Sequence, residues 1–237
     1  MKHTKETLKH AALTHSLFPA TSLADAVQRL TFIQIDPIRS PARAQDLILR
    51  NRVVDYRVGD IEQQYPYLGL EEDFLYAHGY IVHDVWQLLH PRKKIMLTKF
   101  DRQVLEKIRE LGEVHPKDLE LHFKPKRVIS WWGVHARATS LSLNRLHYFG
   151  LIRVTKRQKG IRFYQAFTPE TVSVSVNKRL AQLIMATAAV MAPVSYKTLQ
   201  ESLHRLRRHF GDTKGVIVNL IKTGELEQQV IDGIPYL

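Results

Sequence analysis

Two stretches of the chain carry one apolar skeleton. Leu143-x-x-Leu146-x-x-x-Gly150-x-Ile152 and Ile217-x-x-Leu220-x-x-x-Gly224-x-Leu226 have identical spacing. In each, apolar residues three apart mark the inner face of a helix, and the glycine ends it. A further glycine, Gly160 or Gly233, follows ten or nine residues later, and a tyrosine, Tyr164 or Tyr236, comes after that. This reads as an internal repeat of one small module in which a helix feeds a tight β-hairpin. Any helix–hairpin unit would show such spacing, so the repeat speaks to fold and leaves function open.

Around the first copy, Asp101 opens a helical pattern with Val104, Leu105, Ile108 and Leu111 on one face and Gly112 at its end. A short helix over 116–123 and a third over 137–149 follow. Two β-like runs, 151–157 and 161–167, are joined by the turn residues Gln158-Lys159-Gly160. Three helices and a basic-tipped hairpin are the plan of a winged helix-turn-helix, whose third helix can enter the major groove. The last third repeats the plan, with helices expected over 178–191, 196–210 and 213–223, then a hairpin about Asp232-Gly233. In the first third, helices are expected over 4–15, 22–30 and from Pro41 to about 54. A short strand is expected over 32–38, strand or irregular structure over 71–84, and a helix over 85–100. The expected fold is mainly α with small β-hairpins (α+β), as tandem winged helix-turn-helix modules. The expected domains are 1–100, 101–170 and 171–237.

Charge narrows the partner. The 237 residues include 35 Lys+Arg against 23 Asp+Glu, a formal net charge of +12. Residues 1–90 hold 9 basic and 11 acidic residues, whereas 91–170 hold 18 and 7. From 121 to 169 there is no acid, yet there are ten Lys/Arg. A solvated face usually mixes both signs, so such a run points to a surface that meets phosphates. The alternatives are a solubilising face, or a patch paired with acids of the first third. With no cysteine, thiolate nucleophiles and Cys-ligated metals are excluded. No apolar run is long enough to span a bilayer, and the N-terminus has no apolar signal core, so a cytoplasmic protein is expected.

The segment Phe32-Ile33-Gln34-Ile35-Asp36-Pro37-Ile38 carries the candidate chemistry. On a strand, Ile33 and Ile35 would face a core, and Gln34 and Asp36 would be presented together on the other side. A carboxylate beside an amide is suited to holding a water molecule: Asp36 can accept its proton or stabilise a developing cation, and Gln34 can orient it. Gln-apolar-Asp by itself is a common triplet. No lysine adjoins the pair, which disfavours a Schiff-base route.

The chain resembles the YcaQ-type winged-helix DNA glycosylases. The resemblance lies in 29–56 (RLTFIQIDPIRSPARAQDLILRNRVVDY), 72–84 (EDFLYAHGYIVHD), 90–92 and 131–165, where paired tryptophans Trp131-Trp132 precede the basic hairpin, and more weakly in 215–237. It implies tandem winged helices curved around double-stranded DNA, alkylated or crosslinked, and repair of alkylation damage and interstrand crosslinks by an N-glycosidic bond hydrolase. It makes Gln34 and Asp36 the catalytic pair and places the protein on the nucleoid. The family's members continue past the point corresponding to Leu237 into a β-rich C-terminal domain, and they usually have Thr where Pro37 stands.

The expected DNA contacts are Arg39, Arg43, Arg50, Arg52 and His78 near the pair, then Arg137 and the hairpin residues Lys156, Arg157, Lys159 and Arg162. Arg43 and Arg50 are seven apart and could share a helix face, or be ordinary solvated arginines. His78, which the resemblance marks as near the site, reads as a structural histidine ahead of a catalytic one. The chain has 12 histidines, but His78 and His83 lack an obvious third ligand, so neither metal nor cofactor is expected. Asp46, a nearby acid outside the triplet, is the expected neutral control. The expected function is release of N7-alkylated purines, with crosslink unhooking as an extension. The rival is a winged-helix DNA-binding regulator without catalysis.

Overall fold

The computed structural model describes residues 4–36, 38–92, 96–124, 127–129, 135–168 and 174–237. Pro37, Lys126, Trp131 and Trp132 lie outside the described residues. In chain order the first elements are α1 (Lys5–Ser16), α2 (Leu23–Leu30), β1 (Phe32–Gln34), α3 (Ala44–Arg50), α4 (Asp60–Gln64), β2 (Leu70–Phe74), β3 (His78–Val82) and α5 (His83–Trp86). Next come α6 (Lys99–Leu111), α7 (Pro116–Glu120), β4 (Arg127–Ile129), β5 (His135–Arg137), α8 (Ala138–Tyr148), β6 (Ile152–Gln158) and β7 (Ile161–Ala166). The last are α9 (Val176–Met191), α10 (Tyr196–Ser202), α11 (His204–Phe210), α12 (Thr213–Lys222), β8 (Gln229–Ile231) and β9 (Ile234–Tyr236).

Two compact units result, one from 1–61, 73–89 and 172–237, the other from 62–72 and 90–171. The first and last thirds of the chain therefore cluster together, where the sequence suggests three consecutive domains. The fold is helical with small antiparallel strand pairs: β1-β3-β2 in one sheet, and the pairs β4-β5, β6-β7 and β8-β9.

The repeat is visible in the backbone. Gln158 pairs with Ile161 and Ile231 with Ile234, so each hairpin has a two-residue turn. Both turn residues sit at positive φ in each: Lys159 at 50° and Gly160 at 80°, Asp232 at 51° and Gly233 at 77°. A two-residue hairpin whose twist matches its strands requires that conformation, and glycine supplies it at the second position without steric cost. The second hairpin strand also bonds to the residue just before a helix. Val114 exchanges two backbone hydrogen bonds with Tyr164, at 2.8 and 3.0 Å, and Val194 does the same with Leu237, at 3.0 and 2.8 Å.

The first copy packs its core within the second unit. In the second unit Val104, Leu105 and Ile108 of α6 are buried with Leu119, Leu143, Leu146, Ile152 and Val154. Asp101 does not open α6: Thr98 is the capping residue and Asp101 the third helical residue, the two joined in a reciprocal capping box. Asp101 is wholly buried, and its carboxylate also accepts from Ser142 Oγ at 2.7 Å and from Arg145, tying α6 to α8.

Other elements also differ from expectation. The expected helix over 85–100 is only α5 and a short 3-10 turn, Gln87–Leu89. Pro91 has no N–H to donate and disfavours helical geometry at His90. The helix expected from Pro41 shrinks to α3. The strand expected over 32–38 stops at Gln34. The helix over 196–210 breaks at Leu203, where Ser202 Oγ turns back on Thr198 O at 2.9 Å, a bond that bends helices.

Candidate active site and basic interface

Gln34 and Asp36 belong to the first unit. β1 runs antiparallel to β3, with Phe32 opposite Ile81, Ile33 opposite Tyr80 and Gln34 opposite Gly79. One more bond, Ile35 N to His78 O at 2.9 Å, extends the pairing before the chain turns away. Ile33 and Ile35 are 1% and 7% exposed, and Gln34 is exposed, as alternation requires. Phe32 departs from it. It lies on the same side as Gln34 but is buried, with its ring 4.4 Å from that of Tyr76. Burial pushes the Tyr76 phenol up to about 12, so this ring pair is a neutral wall beside the strand.

Gly79 lets that wall close. A Cβ there would stand 2.5 Å from the Phe32 ring and 2.6 Å from Ile33 O. No side chain of β3 therefore stands across from Gln34.

Asp36 lies just past the strand and is half-buried. Its backbone N–H donates to Gln45 Oε1 at 3.2 Å, and its Oδ1 accepts from Ile38 N at 2.9 Å. Gln45, in the first turn of α3, is 2% exposed, so the residue holding Asp36 is itself locked by packing. Among the described residues, Asp36 Oδ2 has no protein donor. An ionised carboxylate offers about four acceptor positions, and the second oxygen remains available to a water or a cationic sugar.

The surrounding arginines divide. Arg39 and Arg50 are exposed. Arg43 lies outside α3 and bonds Asp46 through Nε at 2.7 Å, so it shares no helix face with Arg50. Arg52 donates to Ser16 O and Ile48 O, both at 2.6 Å, and fixes the end of α3 to the last residue of α1. Asp46 is 4% exposed and also accepts from Tyr56 Oη at 2.9 Å and Gly59 N at 3.3 Å. Burial alone would raise its pKa, but these donors outweigh it and hold the carboxyl below the usual range. Asp46 is thus a structural hub and an unsuitable neutral control. His78 is half-buried with its ring 4.9 Å from that of Phe74, over which Arg205 sits at 4.6 Å.

The acid-free segment belongs to the second unit, and its charge is largely paired there. Arg153 bonds Glu71 at 2.9 Å, Arg157 bonds Glu72 at 2.7 Å, and Arg162 bonds the same carboxylate. Lys156 pairs with Glu113, Arg137 with Glu120 and Arg145 with Asp101. Every one of these acids lies outside 121–169 in sequence. A bulge between Val154 and Lys156 turns both Thr155 and Lys156 onto Glu113. Burial would raise the Glu113 pKa, but Lys156 and Thr155 outweigh it and lower it. Of the segment's cations among the described residues, Lys124, Arg127 and Lys159 have no carboxylate partner. Lys159 stands exposed at the hairpin tip.

Sequence reasoning missed Gln45 and Glu72. A glutamine in a helix's first turn gives no hint that it reaches back nine residues. Glu72 lies 85 residues from Arg157.

Among the described residues, no helix is long and apolar enough to cross a membrane, and no group of three His, Asp or Glu could hold a metal ion.

The family model described as DNA glycosylase AlkZ-like matches residues 27–236, a span that contains Gln34, Asp36 and both repeat hairpins. No curated protein matches the chain. Among solved structures, the Streptomyces sahachiroi DNA glycosylase AlkZ is similar with a TM-score of 0.61 at 12% identity, over 100% of this chain and 70% of that one. At that identity the likeness concerns the fold, a helical chain with small antiparallel strand pairs. The kinship expected from residues 29–56 and 131–165 is thereby shown, and the chain belongs to the AlkZ-like DNA glycosylase family.

Proposed function

We propose that the chain is a DNA-repair glycosylase that releases N7-alkylated purines, with interstrand crosslinks as a further substrate class, and that its helix–hairpin units act as tandem winged helices on duplex DNA. The single observation that carries this is the family match across the Gln34–Asp36 element. The geometry of Asp36, held at its backbone N–H and Oδ1 with Oδ2 available, is compatible with it.

An N7-alkylated purine is positively charged and already a good leaving group. What remains is to stabilise an oxocarbenium-like sugar and to deliver water. Asp36 supplies the negative charge and accepts the water's proton. Gln34, exposed at the strand end, orients the water through its amide. A crosslinked base stays tethered to the opposite strand, which obstructs full extrusion into a pocket. An element displayed at a strand end suits that lesion. Arg39 and Arg50 are the phosphate contacts proposed nearest the pair, and Lys159 is the one proposed at the hairpin.

The test is incubation with a duplex carrying one N7-methylguanine, scored for abasic sites. Release that is lost in Asp36→Asn supports the proposal; duplex binding with no release returns the chain to a non-catalytic DNA-binding role. The extensive internal pairing of the basic hairpin favours neither outcome, because both need only part of that charge.

A further inference from the structure

A cavity of about 510 Å³ opens in the second unit, beside α7, β4 and the start of α8. That volume lies within the range of about 300–1,000 Å³ usual for small-ligand sites. Its apolar part includes Phe100 and Phe123, whose rings meet edge to face at 5.2 Å. Both are only half-buried, and the neighbouring Leu121 is 84% exposed. Its rim carries Lys117, Lys124 and Arg127, none held by a carboxylate among the described residues. Glu120 also lines the cavity, but Arg137 and Thr139 already engage its two oxygens.

The distribution of pairing gives the cavity its meaning. Six cations of the acid-free segment are matched to acids elsewhere in the unit. Of the three among the described residues that are not, Lys124 and Arg127 line this cavity. A concave aromatic surface under unpaired positive charge fits a flat ring that carries a phosphate. Any nucleobase stacks on an aromatic side chain, so such a site is tolerant of sequence. Lysine and arginine then take the adjoining phosphates. An acidic peptide would satisfy the cations but leave the aromatic part unused.

We propose that this cavity is a second nucleic-acid site, which takes an unpaired nucleotide of single-stranded DNA. Phe100 and Phe123 receive the base, and Lys117, Lys124 and Arg127 receive its flanking phosphates. The site needs no chemistry at Gln34 or Asp36 and stands independently of base release.

The test uses the full chain and two probes of equal charge, hexathymidylate and the same backbone with every base removed. The base-bearing probe is expected to bind about ten-fold tighter. Lys124→Ala and Arg127→Ala each weaken it about three- to ten-fold and lower its salt slope by about 0.7. Phe123→Leu removes the preference for bases. Because Phe123 also packs on Phe100, a photo-crosslink provides a readout that does not depend on that variant's folding: 4-thiothymidine in the probe attaches to Phe100, Phe123 or their neighbours in wild-type protein. Equal affinity for the two probes would overturn the proposal. So would the absence of binding to hexathymidylate, crosslinks confined to the Lys159 hairpin, or equal competition by hexaglutamate.

Discussion

Arg157 grips Glu72 fork to fork: its Nε and Nη2 donate to the two carboxylate oxygens at 2.8 and 2.7 Å. Glu72 is 1% exposed, and Arg162 reaches the same carboxylate. By charge and position in the hairpin, Arg157, Lys159 and Arg162 look equivalent. In the fold only Lys159 is open to a phosphate without giving up an internal partner.

That difference predicts opposite behaviour for two substitutions. Arg162→Ala weakens the neutralisation of a buried carboxylate and costs about 1–3 kcal/mol, read as a lower urea midpoint at unchanged m-value. Lys159→Ala leaves stability within about 0.5 kcal/mol and flattens the log–log salt dependence of duplex binding by about one unit. Equal stability of the two variants would mean that the Arg162–Glu72 pairing contributes nothing to the fold.

Gly79 yields a prediction about the strand that presents Gln34. An alanine there drives its Cβ into the Phe32 ring, which Tyr76 blocks, and into the Ile33 carbonyl, which is backbone. Gly79→Ala is therefore expected to cost about 1–3 kcal/mol by overpacking, with a fall in Tm of several degrees. A Tm equal to wild type would show that the ring and strand yield freely.

Acid should loosen the second unit through Asp101. Burial would raise the pKa of this carboxyl, but hydrogen bonds from Ser142, Thr98 and Arg145 outweigh it and hold it below the usual carboxylate range. A lowered folded pKa means that the contribution is complete above the ordinary value and is lost as pH falls through the folded one. Stability should accordingly fall below about pH 4. In Asp101→Asn the unit starts less stable at pH 7 and shows a shallower loss over the same window. Stability curves for wild type and variant that run parallel from pH 6 to pH 2 would remove Asp101 as the source.

What could be read in advance depended on how local the cause is. Leu143, Leu146 and Gly150 announce a helix and its end because helical period and a glycine terminator act within a few residues. Gly160 and Gly233 announce hairpin tips for the same reason. Ile33 and Ile35 announced the buried face of β1, and so placed Gln34 on the open one. The acid-free run from 121 to 169 overstates the bare charge, as the alternative of pairing with first-third acids allows, because salt bridges ignore sequence distance: Glu72 reaches it from 85 and 90 residues away and Asp101 from 44. Phe32 breaks the alternation because Tyr76, in the turn between β2 and β3, packs on it, a contact that a two-residue period cannot describe.

The catalytic prediction rests on the contrast between Asp36 and Asp46. If Asp36 stabilises the cationic sugar, Asp36→Asn keeps the side-chain shape and the bond from Ile38 N but removes the charge. Base release from N7-methylguanine DNA should then fall by roughly 100-fold or more. Binding to undamaged duplex should change little or tighten, since an anion near phosphates has gone. Gln34→Ala should slow release less, because it positions water without carrying charge. Asp46→Asn should behave differently from both. It strips Arg43 of its buried counter-ion and weakens the bonds from Tyr56 and Gly59, so stability drops by about 1–3 kcal/mol and release falls only as far as the folded fraction does. Glu201→Gln, exposed on α10, is the neutral comparison. Two results would count against the assignment: Asp36→Asn releasing base at the wild-type rate, or Asp46→Asn losing release at full stability while Asp36→Asn does not. The second would move the reacting carboxylate from the end of β1 to the first turn of α3.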